Sequence, residues 1–102
     1  MSQTQEVRSR STAIFTDDDG MTKVVYHRTP VVAFDTKRVI LHSGGYQTAT
    51  TKLRMNQAAN QFALGFQVFQ RNYDWFVRFD GYGTIHSAGE VLPFTDGMEF
   101  RR

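Results

Sequence analysis

One segment with helical spacing stands among apolar runs that otherwise follow the two-residue period of β-strands. Met55, Ala58, Ala59 and Phe62 recur at intervals of three and four residues, which places them on one side of a helix. The polar residues of the segment fall elsewhere on the helical wheel. The chain is therefore expected to contain one helix of about three turns, with strands before and after it.

Local signals predict where this helix begins and ends. Thr50 or Thr51 is expected to cap the N-terminus, because a threonine hydroxyl can accept a hydrogen bond from a free backbone N–H group. Gly65 is expected to stop the helix by adopting a left-handed conformation.

Short runs rich in β-branched and aromatic residues, bounded by turn residues, predict strands on both sides of the helix. These runs are residues 12–15, 23–27, 31–34, 38–42, 66–70, 74–79, 91–95 and 98–100. Hairpins are expected across 35–37, across 71–73 and across Asp96-Gly97, whose sequence suits a tight primed turn. Pro93 cannot donate a backbone hydrogen bond, so its strand is expected at a sheet edge.

The predicted fold is of the α+β class, with one helix packed on a bent antiparallel sheet or small barrel of five to seven strands. Residues 1–22 lack a sustained period and are interpreted as a flexible N-terminal arm, and residues 23–102 as a single domain. A chain of 102 residues can bury roughly 60 to 65 percent of its unfolded surface, and its fourteen aromatic residues supply the core.

Composition argues against several classes of protein. The chain has no cysteine, so it forms no disulfide and no thiolate metal site. Its three histidines are dispersed, and no catalytic constellation, metal site or cofactor motif is recognised. No run approaches the ~18 apolar residues of a membrane span, and the N-terminus lacks an apolar signal core. We expect a non-enzymatic cytoplasmic protein.

Charge is distributed unevenly along the chain. The 38 residues from Thr36 to Tyr73 contain no carboxylate, and residues 21–80 carry eight basic and three acidic side chains, a net charge of +5. A surface that offers cations without competing carboxylates suits an anionic partner, nucleic acid first.

The helix and its flanks supply the candidate binding residues. Asparagine and glutamine can each present a donor and an acceptor to a base edge, while lysine and arginine can hold phosphate. The candidates are Tyr46, Lys52, Arg54, Asn56, Gln57, Asn60, Gln61 and Arg71. The loop 44–52 also leads glycines, hydroxyls and a lysine into a helix N-terminus, which makes phosphate a candidate ligand. A structural role competes with recognition, because Asn56 or Gln57 can instead tie loop 43–51 to the helix through backbone hydrogen bonds.

A longer pattern resembles a known group of proteins. Gly44-Gly45-Tyr46, Thr50-Thr51-Lys52 and Arg54-Met55-Asn56-Gln57, followed by Leu64-Gly65-Phe66 and Trp75-Phe76-Val77, are similar to a string found in short uncharacterised proteins of tailed bacteriophages. The resemblance covers residues 30–100 and leaves the acidic segment before Thr22 outside. It implies a phage origin and expression in the cytoplasm of an infected bacterium.

Three functions remain open at this point. The leading hypothesis is nucleic-acid binding through the basic, amide-rich helix. The alternative is a module that binds or inhibits a host protein of defence or transcription, with an aromatic hot spot at Tyr46, Tyr73 or Tyr82. The third is a structural homo-oligomer that pairs through an edge strand.

Overall fold

The computed structural model describes residues 12–102, which form one helix and eight strands in two antiparallel sheets. The elements are β1 Thr12–Thr16, β2 Thr22–Tyr26, β3 Thr29–Phe34, β4 Arg38–Leu41, α1 Ala49–Phe62, β5 Phe66–Arg71, β6 Asp74–Phe79, β7 Val91–Pro93 and β8 Met98–Arg101. This arrangement confirms the α+β class and the single helix. The structure has one strand more than the five to seven expected in the domain. The additional strand is β1, which the sequence predicted as a short strand within the N-terminal arm. Residues 1–11 of that arm lie outside the described range.

The first sheet has five strands in the order β1-β2-β3-β4-β8. Its β3–β4 hairpin turns at 35–37 as predicted, with Phe34 opposite Val39. Between β2 and β3 the register shifts at Val24/Val25, next to Pro30. Since proline has no N–H group to donate to the ladder, an irregularity at this point is the expected response.

The second sheet has three strands in the order β5-β6-β7. Arg71 pairs with Asp74, so Asn72 and Tyr73 alone form the turn between β5 and β6, and the hairpin predicted here is confirmed. β7 lies at an edge of this sheet, as expected for the strand that contains Pro93.

The predicted hairpin between the last two strands is wrong. β7 pairs with β6 of the three-stranded sheet, whereas β8 pairs with β4 of the five-stranded sheet. The Asp96-Gly97 turn does form, since Met98 N–H donates to the Thr95 carbonyl. Its flanks diverge because Phe94 N–H donates to the Trp75 carbonyl and Gly97 N–H to the Leu41 carbonyl. The turn therefore carries the chain from one sheet to the other.

The helix begins at Ala49, before both residues that were predicted to cap it. The cap is Thr48, whose hydroxyl accepts a hydrogen bond from Thr51 N–H at 3.2 Å, so the assignment of Thr50 or Thr51 as the cap is wrong. Thr51 is instead buried in the first turn. At the other end Ala63 takes the left-handed conformation (φ 54°) and caps the helix, so the prediction that Gly65 stops it is wrong. Gly65 is also left-handed, and a side chain there would collide with the backbone of Tyr82.

The core lies between the two sheets and the helix. Trp75, Val77 and Phe79 of β6 share the buried face, because side chains alternate between the two sides of a strand. Phe100 of β8 packs edge-on against Phe66 and Phe79, which joins the five-stranded sheet to the three-stranded one. The described part of the chain has no helix with the length and apolar character needed to cross a membrane.

Candidate nucleic-acid interface

Asn56 has a structural partner on the neighbouring strand. Its amide nitrogen donates to the Val68 carbonyl at 3.0 Å, and its amide oxygen accepts from Val68 N–H at 2.7 Å. β5 is an edge strand of its sheet, so the side chain of Asn56 satisfies a backbone N–H and C=O that no strand pairs on that side. The amide connects the helix to β5 rather than to loop 43–51.

The other three helix amides differ in their exposure. Gln57 is buried at 4% relative exposure, and its side-chain oxygen accepts a hydrogen bond from Arg54 Nη1 at 3.0 Å. Asn60 and Gln61 are exposed. The four amides therefore do not present one continuous polar surface.

The two cations of the helix point towards different sheets. Lys52 and Arg54 are two positions apart, which is about 200° around a helix. Lys52 Nζ lies 5.9 Å from the ring centroid of Trp75, on the three-stranded sheet. Arg54 Cζ lies 5.6 Å from the ring centroid of Tyr26, on the five-stranded sheet. The structure thus separates the predicted phosphate contacts instead of gathering them.

Tyr46 lies away from the helix surface. Its side chain is 70% exposed and lines a cavity of about 770 Å³ at the N-terminal end of the helix. Thr48 and Thr51 line the same cavity, but their hydroxyls are within 3.1 Å of each other. Ser43, also on the cavity wall, has its hydroxyl hydrogen-bonded to Asp96. Two hydroxyls of the predicted phosphate loop 44–52, those of Thr48 and Thr51, and the hydroxyl of Ser43 just before it therefore already have protein partners.

Arg71 belongs to a surface that the sequence did not single out. Val68, Trp75, Val77 and Leu92 of the three-stranded sheet point to the core, so their neighbours point to the opposite, outer side. We call this outer surface the aromatic face. It consists of Gln67, Phe69, Arg71, Asp74, Phe76, Arg78, Val91 and Pro93.

Strand register arranges the aromatic face in rows. Phe69 is opposite Phe76, which is opposite Pro93 on the edge strand. The two phenylalanine rings stack, with centroids 5.6 Å apart and planes inclined by 27°. Both rings are partly exposed, which contrasts with the buried rings of the same sheet.

Two arginines flank the ring pair along the strands. Arg71 Cζ lies 5.9 Å from the ring centroid of Phe69. On the other side of the pair, Arg78 Nη2 donates to the side-chain oxygen of Gln67 at 2.8 Å, which fixes the guanidinium across the adjacent row. Both arginines are exposed, and Asp74 is the one carboxylate on the face.

Alternation contained a signal for this face. In β5 and β6 aromatic residues occupy both parities, so one aromatic set must point away from the core. Trp75, Val77 and Phe79 define the inner set of β6, which leaves Phe76 on the outside with Arg78.

The fold of residues 12–102 and this surface define a class: a small α+β protein with two sheets and one helix in its described part, and with an open aromatic sheet face. The chain belongs to the Kyanoviridae Gp96 protein family, since a sequence model of that family matches residues 1–101. This is a phage protein family, which confirms the predicted phage origin. The match includes the segment before Thr22, so the expectation that this segment lies outside the shared part is wrong. No curated protein and no solved structure matches the chain.

Proposed function

We propose that this protein binds single-stranded nucleic acid on the aromatic face of its three-stranded sheet. The observation that carries the proposal is the stacked pair Phe69 and Phe76, held on an open sheet surface between Arg71 and Arg78. Proteins that bind single strands combine aromatic rings, on which bases stack, with cations that follow the phosphate backbone. No catalytic step is included in the proposal.

The rings favour unpaired bases over a duplex. In a double helix the base faces are covered by their neighbours, and only the edges and the backbone are accessible to side chains. A sheet surface with two partly exposed rings presents flat apolar area, which matches the face of an unstacked base. Each such contact contributes about 1–3 kcal/mol to binding.

Charge supports the same partner. The aromatic face carries two arginines and one aspartate, and β5 falls within the stretch 36–73 that has no carboxylate. Arg78 is fixed by its hydrogen bond to Gln67, so less side-chain entropy is lost when it contacts a phosphate. Arg71, predicted from the sequence as a binding residue, keeps that role in the proposal.

The helix has a different role in this proposal from the one predicted by the sequence. Asn56 holds β5 in place through its two hydrogen bonds to Val68, and Gln57 is buried beside Arg54. We assign these two amides to folding and positioning. Lys52, Asn60 and Gln61 are not required for binding in this account.

Protein binding is the second candidate function, because three tyrosines are exposed. Tyr46, Tyr73 and Tyr82 have relative exposures of 70, 91 and 52%. Tyrosine is enriched in the hot spots of protein interfaces. A protein partner bound mainly through such rings gives a complex that tolerates salt, whereas binding to phosphates weakens steeply with salt.

The experiment is a fluorescence-polarisation titration of the full-length protein with labelled oligonucleotides of roughly 12 nucleotides. Single-stranded DNA, single-stranded RNA and duplex DNA are compared at about 50 and 200 mM salt. We expect salt-sensitive binding of a single strand, tighter than binding of the duplex. The variant F76A is expected to weaken binding by about 5- to 150-fold, the range for one lost stacking contact.

The matched control is F15A. Phe15 is a 48% exposed phenylalanine on β1 of the other sheet, so its removal leaves the aromatic face unchanged. Equal losses in F76A and F15A would contradict the proposal, and so would the absence of binding by the wild-type protein at low salt. Binding of the duplex alone would instead indicate that cations outside the aromatic face contact the phosphate backbone of DNA.

A further inference from the structure

Tyr73 occupies a backbone conformation that is unfavourable for its side chain. It is the second residue of the two-residue turn between β5 and β6, with φ 71°, after Asn72 with φ 52°. Turns of this kind need positive φ at both residues, and Asn-Gly is the preferred sequence for them. Asn72 fits this preference. A tyrosine where glycine is favoured carries a steric penalty from its Cβ atom.

The side chain of Tyr73 gives nothing back to the core. It is 91% exposed, more than Tyr46, Ile85 or any other large apolar or aromatic residue in the described range. Packing therefore does not offset the strain. Residues kept in unfavourable backbone conformations are concentrated at functional sites, where the side chain serves a purpose other than stability.

The position of Tyr73 links it to the aromatic face. The row formed by Arg71 and Asp74 is the last pair of the hairpin, and Tyr73 follows immediately beyond that row. Arg71 in turn lies against Phe69 of the ring pair. A strand of nucleic acid that runs along β5 and β6 towards the turn would reach the ring of Tyr73 after it passes Arg71.

We propose that Tyr73 is a further stacking residue, which holds an unpaired base at the hairpin end of the aromatic face. This inference rests on the proposed function and adds to it a binding residue and a direction for the bound strand. The hydroxyl of Tyr73 can also donate a hydrogen bond to a phosphate or a base, although stacking requires the ring alone.

The test separates stability from binding in the variant Y73G. Glycine removes the backbone strain, so we expect Tm to rise by about 4 °C for a domain of this size. The same change removes the ring, so affinity for the single-stranded oligonucleotide that the wild type binds most tightly is expected to fall by about 5- to 150-fold. Y73F keeps the ring and is expected to match the wild type in both measurements. The control F15A, which removes an exposed aromatic ring from β1 of the other sheet, is expected to leave affinity unchanged.

The stability and affinity of these variants either support or contradict the stacking role of Tyr73. A more stable Y73G variant with weaker binding supports it, particularly if Y73F binds normally. If the wild type binds and F76A weakens binding, but Y73G binds as tightly as the wild type, then Tyr73 is not a stacking residue and the aromatic face remains. If the wild type binds no single strand, the proposed function and this inference both fail.

Discussion

Helix α1 and the aromatic face both carry polar and charged residues suited to nucleic acid, but their side chains are used differently. On the helix, Asn56 is hydrogen-bonded to the backbone of Val68 and Gln57 is buried. On the aromatic face, Phe69 and Phe76 are partly exposed although rings on the opposite side of the same sheet are buried. Residue type alone therefore indicates a possible binding role, while the hydrogen-bond partners and burial of each side chain distinguish binding from folding.

The strongest change is predicted for Asn56, whose removal should lower the stability of the fold at the helix. N56A removes both hydrogen bonds to Val68 and leaves a buried backbone N–H and C=O without their partner. We expect a loss of about 2–4 kcal/mol in the free energy of unfolding, since each unsatisfied buried group costs about 1–3 kcal/mol and alanine regains a little helix propensity. Urea denaturation of the wild type and N56A measures this loss in the free energy of unfolding.

The matched control for that variant is N60A, which changes an exposed asparagine one turn further along the same helix. Alanine there is expected to alter stability by no more than about 0.5 kcal/mol. If N56A were as stable as N60A and had lost oligonucleotide binding, Asn56 would be a recognition residue. The assignment of folding to the helix amide and of binding to the aromatic face would then be wrong.

The next effect concerns the salt dependence of binding. R71A and R78A each remove one cation from the aromatic face, and each is expected to reduce the slope of log affinity against log salt by roughly 0.7, the value for one phosphate contact with a single strand. R101A removes an exposed arginine from β8 in the other sheet and is expected to keep the wild-type slope. If the slope of log affinity against log salt falls in R54A but not in R71A or R78A, the phosphate contacts are made by the helix and not by the aromatic face.

The smallest effect concerns acid stability in the five-stranded sheet. Hydrogen bonds from the backbone N–H groups of Lys37 and Arg38 hold the pKa of Asp35 below its ordinary value, against an opposing effect of burial. A lowered folded-state pKa means that the ionised carboxylate stabilises the fold above the unfolded pKa, and that this contribution is lost as the pH falls below the ordinary value of 3.8 and through the lowered folded-state pKa.

Substitutions at Asp35 separate its charge from its hydrogen bonds. D35N keeps an oxygen that can accept from Lys37 and Arg38, and it is expected to show a shallower loss of stability in acid. D35A is expected to be less stable than D35N at neutral pH as well. Urea midpoints measured across this pH range provide the check. A wild-type and a D35N curve of equal steepness would show that Asp35 does not contribute to the acid sensitivity.

Periodicity predicted the elements but not all of their partners. The helical spacing of Met55, Ala58 and Ala59 and the alternation in β6 are properties of neighbouring residues, and the structure confirms both. The pairing of β7 and β8 with different sheets depends on hydrogen bonds from Phe94 and Gly97 to strands far along the chain. A favourable turn sequence at Asp96-Gly97 contains no information about those distant partners.

The start of the helix is a second case in which local sequence does not predict the hydrogen-bond partner. Thr48, Thr50 and Thr51 are three candidate caps within four residues, and their hydroxyls have the same local chemistry. Burial of Thr51 and the hydrogen bond from its N–H group to Thr48 select the cap. The roles of the amides were likewise undetermined, since Asn56 and Val68 are 12 residues apart and meet only when β5 folds back along the helix.

The most direct test of the account is amide chemical-shift mapping of the isotope-labelled full-length protein during titration with a single-stranded oligonucleotide. We predict that the largest changes occur at the backbone amides of Phe69, Arg71, Phe76 and Arg78, on the aromatic face. Changes confined to residues 53–61 of the helix, with the aromatic face unaffected, would contradict the account.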